Sequence, residues 1–327
     1  MAKKYRLESV TLGAAWDALV EKSNDSTVFS TSTYLQATGL RLGLYHCYNG
    51  DELRGGVAVV ESPDGESAVM DDLVIYGGIF YGPPTTGQGQ AQVGSERFDL
   101  AVFAADALAQ KYQNISFNLA PSISDIRPFL WHNYSQGQRQ YSIDVRYTSY
   151  LGIADFKDAN RLEDIVAYGN ASVARRQQIR YARRDGIKTE SSDNVAQFID
   201  FYRLTMERQD NSVTNERLDQ MEVLVSSLLK RNLAKMFVSR TKDNIAGSYA
   251  VYSLDSKRAY YLFGANDPAL RDSSSGTAVL WDAFYSLAAD GVVLVDLEGV
   301  NSPKRGWFKL SFGGELLPYY QASLAGG

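Results

Sequence analysis

The chain has 327 residues, 45% of them hydrophobic, with 33 Lys+Arg against 38 Asp+Glu. That is ample material for a core and long enough for about two domains, and a net charge of −5 leaves no whole-chain footprint for nonspecific nucleic-acid binding, so no DNA partner is expected. One cysteine, Cys47, excludes an intramolecular disulfide and a multi-cysteine zinc site, and with only His46 and His132 no metal centre is expected.

The opening Met1-Ala2-Lys3-Lys4-Tyr5 has no apolar stretch behind its charges and does not read as a signal peptide. No apolar run approaches the roughly 20 residues of a membrane span. A cytoplasmic chain is expected, with at most peripheral contact with a membrane. Short β-type runs follow at 42–48, 53–60 and 67–70, separated by the turn signals Asn49-Gly50 and Pro63-Asp64-Gly65. His46 lies in the first of these and reads as a strand residue. A further strand is predicted over 73–81. The glycines of 87–94 have the wrong spacing for a dinucleotide fingerprint, and the stretch reads as a flexible loop. Phe98, Val102, Ala105 and Leu108 then predict a helix over 95–112, followed by a strand over 115–119. His132 sits in a loop with no evident partner.

A helix-rich segment spans 159–231, with helices predicted over 162–169, 171–184, 195–209 and 215–231. Beyond it the first pattern repeats. Strands at 233–240, 245–254 and 258–265 lead to a helix over 276–290, ended by Gly291, and to a strand over 292–296. Each half thus gives a meander, a crossover helix and a strand. We expect an α+β (mixed α/β) fold of two mostly antiparallel domains, 1–146 and 147–327. Neither a P-loop nor a G-x-S-x-G elbow is present.

The chemistry is most legible in the second half. The loop Arg271-Asp272-Ser273-Ser274-Ser275-Gly276-Thr277-Ala278 runs into a helix, whose free N-terminal amides and dipole suit phosphate oxygens. A plain serine cap with small packing residues fits the same letters. Asp296, at the carboxyl end of a buried strand, is a candidate general base or a cap for the next turn. Tyr260 and Tyr261 alternate on the preceding strand, and Tyr261 is the candidate of the two. Between 171 and 188, six basic side chains face only Asp185, and Arg176 and Arg180 share one helical face. That face is a phosphate clamp for the acceptor or a solvated charged surface.

Ser273-x-x-Gly276-x-Ala278 resembles the [QR]-x-x-G-x-[GA] coenzyme A loop of the GNAT acyltransferase superfamily, with Ser in the first place. Asp296-Leu297-Glu298-Gly299-Val300-Asn301, then Gly306-Trp307-Phe308-Lys309-Leu310-Ser311-Phe312-Gly313-Gly314 and Pro318-Tyr319-Tyr320, resembles the FemABX and CelD-like branch of that superfamily. Trp16, Ser23, Thr27 and Phe29, and the Arg176–Gly186 helix, match that branch more loosely.

The resemblance implies tandem GNAT-like domains and transfer of an acyl group to an amine. The acyl donor would be acyl-CoA (acetyl-CoA), held by 271 and 273–278. The acceptor would be a lipid- or nucleotide-linked sugar precursor of the cell surface. The alternative acyl donor is aminoacyl-tRNA, as in peptidoglycan cross-bridge synthesis, and a third reading is a non-catalytic binding protein on the same fold. By the same resemblance, Phe308 and Lys309 form the turn that handles the acyl donor and the developing negative charge. A fixed ammonium in a dry cleft stabilises an oxyanion. Direct transfer is expected, because no nucleophile–base pair is evident. This chain departs from the branch at Tyr81-Gly82-Pro83-Pro84, which lacks an Arg, and it has no Lys close behind Phe29 and no coiled-coil arm.

Overall fold

The computed structural model describes residues 5–209, 212–256 and 258–326; the side chain of Arg271, one of the residues expected to hold the acyl donor, lies outside the described part. The chain divides into two compact units, one of residues 1–146 with 318–327, the other of 147–317.

The first unit contains β1 (Tyr5–Ser9), α1 (Ala14–Lys22), α2 (Ser32–Thr38), β2 (Leu42–Asn49), β3 (Glu52–Glu61), β4 (Ala68–Val69), β5 (Gly78–Tyr81), α3 (Gln90–Lys111), β6 (Ile115–Asn118) and α4 (Arg127–Leu130). β7 (Ser142–Gly152) carries the chain into the second unit. That unit holds α5 (Val166–Asn170), α6 (Val173–Arg184), β8 (Lys188–Ser191), α7 (Val195–Glu207), α8 (Asn215–Lys230) and β9 (Ala234–Arg240). It continues through β10 (Ala246–Leu254), β11 (Ala259–Asn266), α9 (Ser275–Ala289), β12 (Leu294–Asp296) and α10 (Pro303–Leu310) into β13 (Glu315–Leu324).

In the first unit β1, β2, β3, β4 and β6 lie side by side, with β5 also paired to β3. The end of β13 pairs with β6, Gln321 opposite Asn118 and Leu324 opposite Ile115. Ala322 and Leu324 are buried in the core that α3 covers with Leu100, Ala104 and Leu108. The last strand therefore completes the first unit, and the second domain ends at 317 instead of 327. Two local expectations also change. Of the strand predicted over 73–81 only Gly78–Tyr81 is extended, because Asp71 caps a tight turn through Leu73 and Gly78 takes φ 74°. The loop predicted over 87–94 is half helix, since the Gln92 side chain accepts from the Gly89 amide at 3.0 Å and starts α3 at Gln90. His46 is on β2, as the alternation implied. His132 does have partners: Nδ1 lies 2.6 Å from an Asp106 oxygen and Nε2 lies 3.0 Å from the Asn133 amide nitrogen.

In the second unit the strand order is β7-β12-β11-β10-β9-β8, all antiparallel except β11 with β12. β10 is buried almost throughout because helices cover both of its faces. Phe284 of α9 meets Tyr252 on one side, and Phe198 and Phe201 of α7 meet Tyr249 on the other. β12 is shorter than predicted: Val292 and Val293 stay outside it and Val293 is exposed.

Two irregularities of this sheet shape the site. β12 pairs with β11 only at Ala259–Val295 and Tyr260–Asp296, so 261–266 of β11 runs past the end of its neighbour. β11 also carries one extra residue, Leu262, against β10, where Val251 faces Phe263 and Tyr252 faces Tyr261. Such a bulge reverses the faces beyond it. Tyr261 therefore points into the core under α9, while Phe263 packs with Phe198 and Tyr202 of α7. Gly264 falls on the same face as Tyr261, and a Cβ there would collide with the Tyr261 hydroxyl.

Candidate functional site

The loop before α9 is built by local hydrogen bonding. Asp267 Oδ1 accepts from the Ala269 amide at 2.9 Å, Pro268 opens a short 3-10 turn, and Ser274 takes a left-handed φ of 61°. Ser275 is buried: its Oγ lies 2.8 Å from Ser248 Oγ, and its carbonyl accepts from Ser239 Oγ at 3.0 Å. A Cβ at Gly247 would come within 2.7 Å of Ser275 Cβ, so the glycine lets α9 start directly against β10. Of the first amides of α9, that of Ser275 reaches Ser273 Oγ over a long 3.3 Å. That of Gly276 meets no acceptor among the described residues. The partial positive end of the helix is therefore open.

A cavity of about 480 Å³ lies at this end, lined by Ser274, Ser275, Gly276 and Thr277 with Arg175, Gln178, Arg208, Asn266, Asp272 and Phe308. Arg175 dominates it. The residue is 6% exposed, its Nε donates to Ser311 Oγ at 2.9 Å, and its Nη1 donates to Gln178 Oε1 at 2.6 Å and to Thr277 Oγ1. The guanidinium lies over the Phe308 and Phe312 rings, 4.3 and 4.4 Å from their centroids. No carboxylate neutralises it among the described residues, and burial pulls its pKa down to about 10. A buried cation without a counter-ion beside open helix amides offers chemistry that suits an anion.

Beyond this cavity lies a buried charged cluster. Asp296 Oδ1 accepts from Thr148 Oγ1 at 2.5 Å and from the Glu298 amide at 2.8 Å, so this carboxylate caps the turn after β12. Glu298 has φ 55° and its Oε1 is buried without a partner among the described residues. Phe308 and Lys309 lie in the last turn of α10, a helix opened by Pro303, and not in the turn expected from the motif. Phe308 lines the cavity, while Lys309 Nζ sits 5.3 Å from the centre of the Tyr261 ring and 3.4 Å from the Gly299 carbonyl oxygen, to which it donates. Burial, reinforced by the Asp296 charge, raises the Glu298 carboxyl well above its ordinary range. Burial lowers the Lys309 ammonium, and the two groups partly offset each other's shift. Tyr261 is raised by burial and by the Glu298 charge.

The sequence candidates divide accordingly. Ser274, Ser275, Gly276, Thr277 and Phe308 line the cavity. Ser273 and Ala278 do not: Ser273 Oγ donates to the Leu270 carbonyl at 2.6 Å, and Ala278 is buried. Asp296, Tyr261 and Lys309 gather in the buried cluster. Arg176 is half-buried and Arg180 donates to the Tyr168 hydroxyl at 2.8 Å, and neither lines the cavity. Sequence reasoning missed Arg175, Gln178, Asn266 and Glu298. For Arg175 a signal existed, because Arg175, Ile179 and Ala182 fall at i, i+4 and i+7 on the buried face of α6. Glu298 had none, since its backbone angle and burial are tertiary properties.

Among the described residues no cluster of three His, Cys, Asp or Glu could hold a metal, and no helix is long and apolar enough to cross a membrane. Residues 172–304 match the family described as Acetyltransferase (GNAT) domain. A comparison with curated proteins gives no match. Among solved structures the chain is similar to FemX, with a TM-score of 0.63 at 13% identity over 96% of each chain. It is also similar to a tandem GNAT protein from the clavulanic acid biosynthesis pathway, with a TM-score of 0.54 at 13% identity over 98% of each chain. A third likeness is to L-PGS from Bacillus licheniformis, with a TM-score of 0.53 at 11% identity over 94% of this chain and 90% of that one. Residues 172–304 thus match a GNAT domain, and the chain as a whole has the fold of FemX and of the tandem GNAT protein.

Proposed function

We propose that this protein is an N-acyltransferase that takes its acyl group from acyl-CoA and passes it directly to an amine. The observation that carries the reading is Arg175, a buried guanidinium without a counter-ion beside the open amides of α9. The loop lacks the Gln or Arg of the coenzyme A motif at Ser273, and α6 supplies a positive group to the same cavity from elsewhere in the chain. A pyrophosphate there offers Arg175 a partner for its charge and the Gly276 amide an acceptor. The pantetheine arm would then run along the gap where β11 outlasts β12, toward Tyr261 and Lys309. Lys309 would stabilise the oxyanion formed on attack at the thioester.

The acceptor is an amine of a cell-surface polysaccharide or envelope precursor, held by the half-buried Arg176 and the exposed Arg180 of α6. An aminoacyl-tRNA donor needs a wider basic surface. On α6, Arg184 pairs with Asp185 at 2.7 Å, which leaves less free charge for it, and Arg183 has one donor engaged by the Tyr285 hydroxyl at 3.2 Å. Calorimetric titration with acetyl-CoA tests the reading, with acetyl-pantetheine as the phosphate-free control. Saturable binding of acetyl-CoA, with acetyl-pantetheine much weaker, is expected. Absence of heat at millimolar acetyl-CoA overturns the reading, and salt-sensitive capture of charged tRNA instead would favour the other acyl donor.

A further inference from the structure

Glu298 is unusual on three separate counts. Its backbone is left-handed at φ 55°, a conformation that glycine adopts freely and a residue with a side chain does not. Its side chain belongs to a residue only 4% exposed, and Oε1 meets no hydrogen-bond donor among the described residues. Its amide is gripped by Asp296 Oδ1 at 2.8 Å, which fixes the strained turn from behind. Strain and an unmatched buried oxygen both destabilise the fold, and residues held in this way cluster where they are used.

Charged and titratable groups gather around it. Asp296 on β12, Tyr261 on β11, and Lys309 and Arg305 on α10 are the titratable and charged groups around the pair. Glu298 and Lys309 act on one another electrostatically but close no ion pair among the described residues, so Oε1 is buried with its hydrogen-bonding capacity unused. Phe308, next to Lys309, carries the Arg175 guanidinium on its ring and lines the proposed acyl-CoA cavity.

We propose that Glu298 takes the proton of the attacking amine, an assignment that rests on the acyl-CoA reading above. The amine nitrogen bonds to the thioester carbonyl carbon, the C–S bond breaks with its electron pair on sulfur, and the amine proton passes to Glu298 Oε1. The thiolate then takes a proton from solvent, and Glu298 returns its proton to solvent. Asp296 is a positioning residue in this scheme. Glu298 must be ionised to act, and burial holds its carboxyl above the ordinary range, so kcat/KM falls on the acid side at a pH higher than a free carboxylate would give.

The test compares wild type with Glu298→Gln in acetyl-CoA binding, melting temperature, and thiol release from acetyl-CoA with hydroxylamine, glucosamine or ethanolamine as acceptor. The variant is expected to bind acetyl-CoA like wild type, to melt no lower at pH 8, and to release thiol about 100-fold more slowly with the acid limb of the profile gone. Equal acetyl-CoA binding with an unchanged profile overturns the Glu298 assignment alone. So does a rate loss that tracks a lower melting temperature at every pH, or wild-type thiol release no faster than background with all three acceptors. Wild type that does not bind acetyl-CoA overturns the acyl-CoA reading, and this assignment falls with it.

Discussion

At the residue scale, Arg175 separates binding from stability. Its charge is desolvated without a counter-ion, so replacing it by an apolar side chain of similar length costs the empty protein little. Met fits between the Phe308 and Phe312 rings, and Thr277 and Gln178 remain bonded to each other at 3.0 Å. Arg175→Met should therefore melt within a few degrees of wild type while acetyl-CoA binding weakens ~10- to 100-fold, the worth of charge-assisted hydrogen bonds. A lower melting temperature with unchanged affinity would make Arg175 a structural residue instead. The sign with pH follows from the depressed guanidinium. It is charged below about 10, so acetyl-CoA binding holds there and declines as pH rises through that value. Arg175 was within reach of sequence, since it continues the Ile179 and Ala182 face, but charge favoured the outer residues Arg176 and Arg180. Glu298 was out of reach, because nothing in Asp296-Leu297-Glu298-Gly299 states which residue is left-handed or buried.

At the element scale, the start of α9 is set by β10 through Ser248, Ser239 and Ser275, with Gly247 leaving the space. Gly247→Ala puts a methyl 2.7 Å from Ser275 Cβ, and neither atom is on a flexible chain end. The variant should lose about 1–3 kcal/mol of stability, the usual cost of overpacking, and acetyl-CoA affinity should fall with it as the α9 amides move. Ser275→Ala removes one hydroxyl contact and should cost about 1 kcal/mol. Urea unfolding alongside calorimetry checks both, and a Gly247→Ala protein with wild-type affinity would show that the cavity does not depend on this contact. The elements themselves were legible where a period was strong. α7, α8 and α9 begin within one residue of where their apolar spacing places them, whereas β12 is shorter than its apolar run because Val293 has no cover. The bulge at Leu262, which decides that Tyr261 faces Lys309, leaves no mark in the sequence.

At the scale of the whole molecule, the cavity and the buried charged cluster draw every residue from 147–317, while the chain's last strand serves the other unit. Sequence order hid this, because Pro318-Tyr319-Tyr320 continues the motif that carries Lys309. Tyr319, Ala322 and Leu324 are buried, and Gln321 to Leu324 pair with β6, so removing 318–327 strips an inner strand of the sheet and part of a core from the first unit. Burial of a large side chain such as Leu324 is worth about 1.5–3 kcal/mol, so the loss is a large share of what a marginally stable domain has. The truncated protein should unfold in two steps, the first unit melting well below the second, and should still bind acetyl-CoA at the temperature where only the second remains folded. Scanning calorimetry with and without acetyl-CoA reads both, since the ligand raises only the transition of the unit that binds it. A single transition that acetyl-CoA leaves in place would mean that the site needs the first unit as well, and that Arg175 and the α9 amides do not suffice for binding.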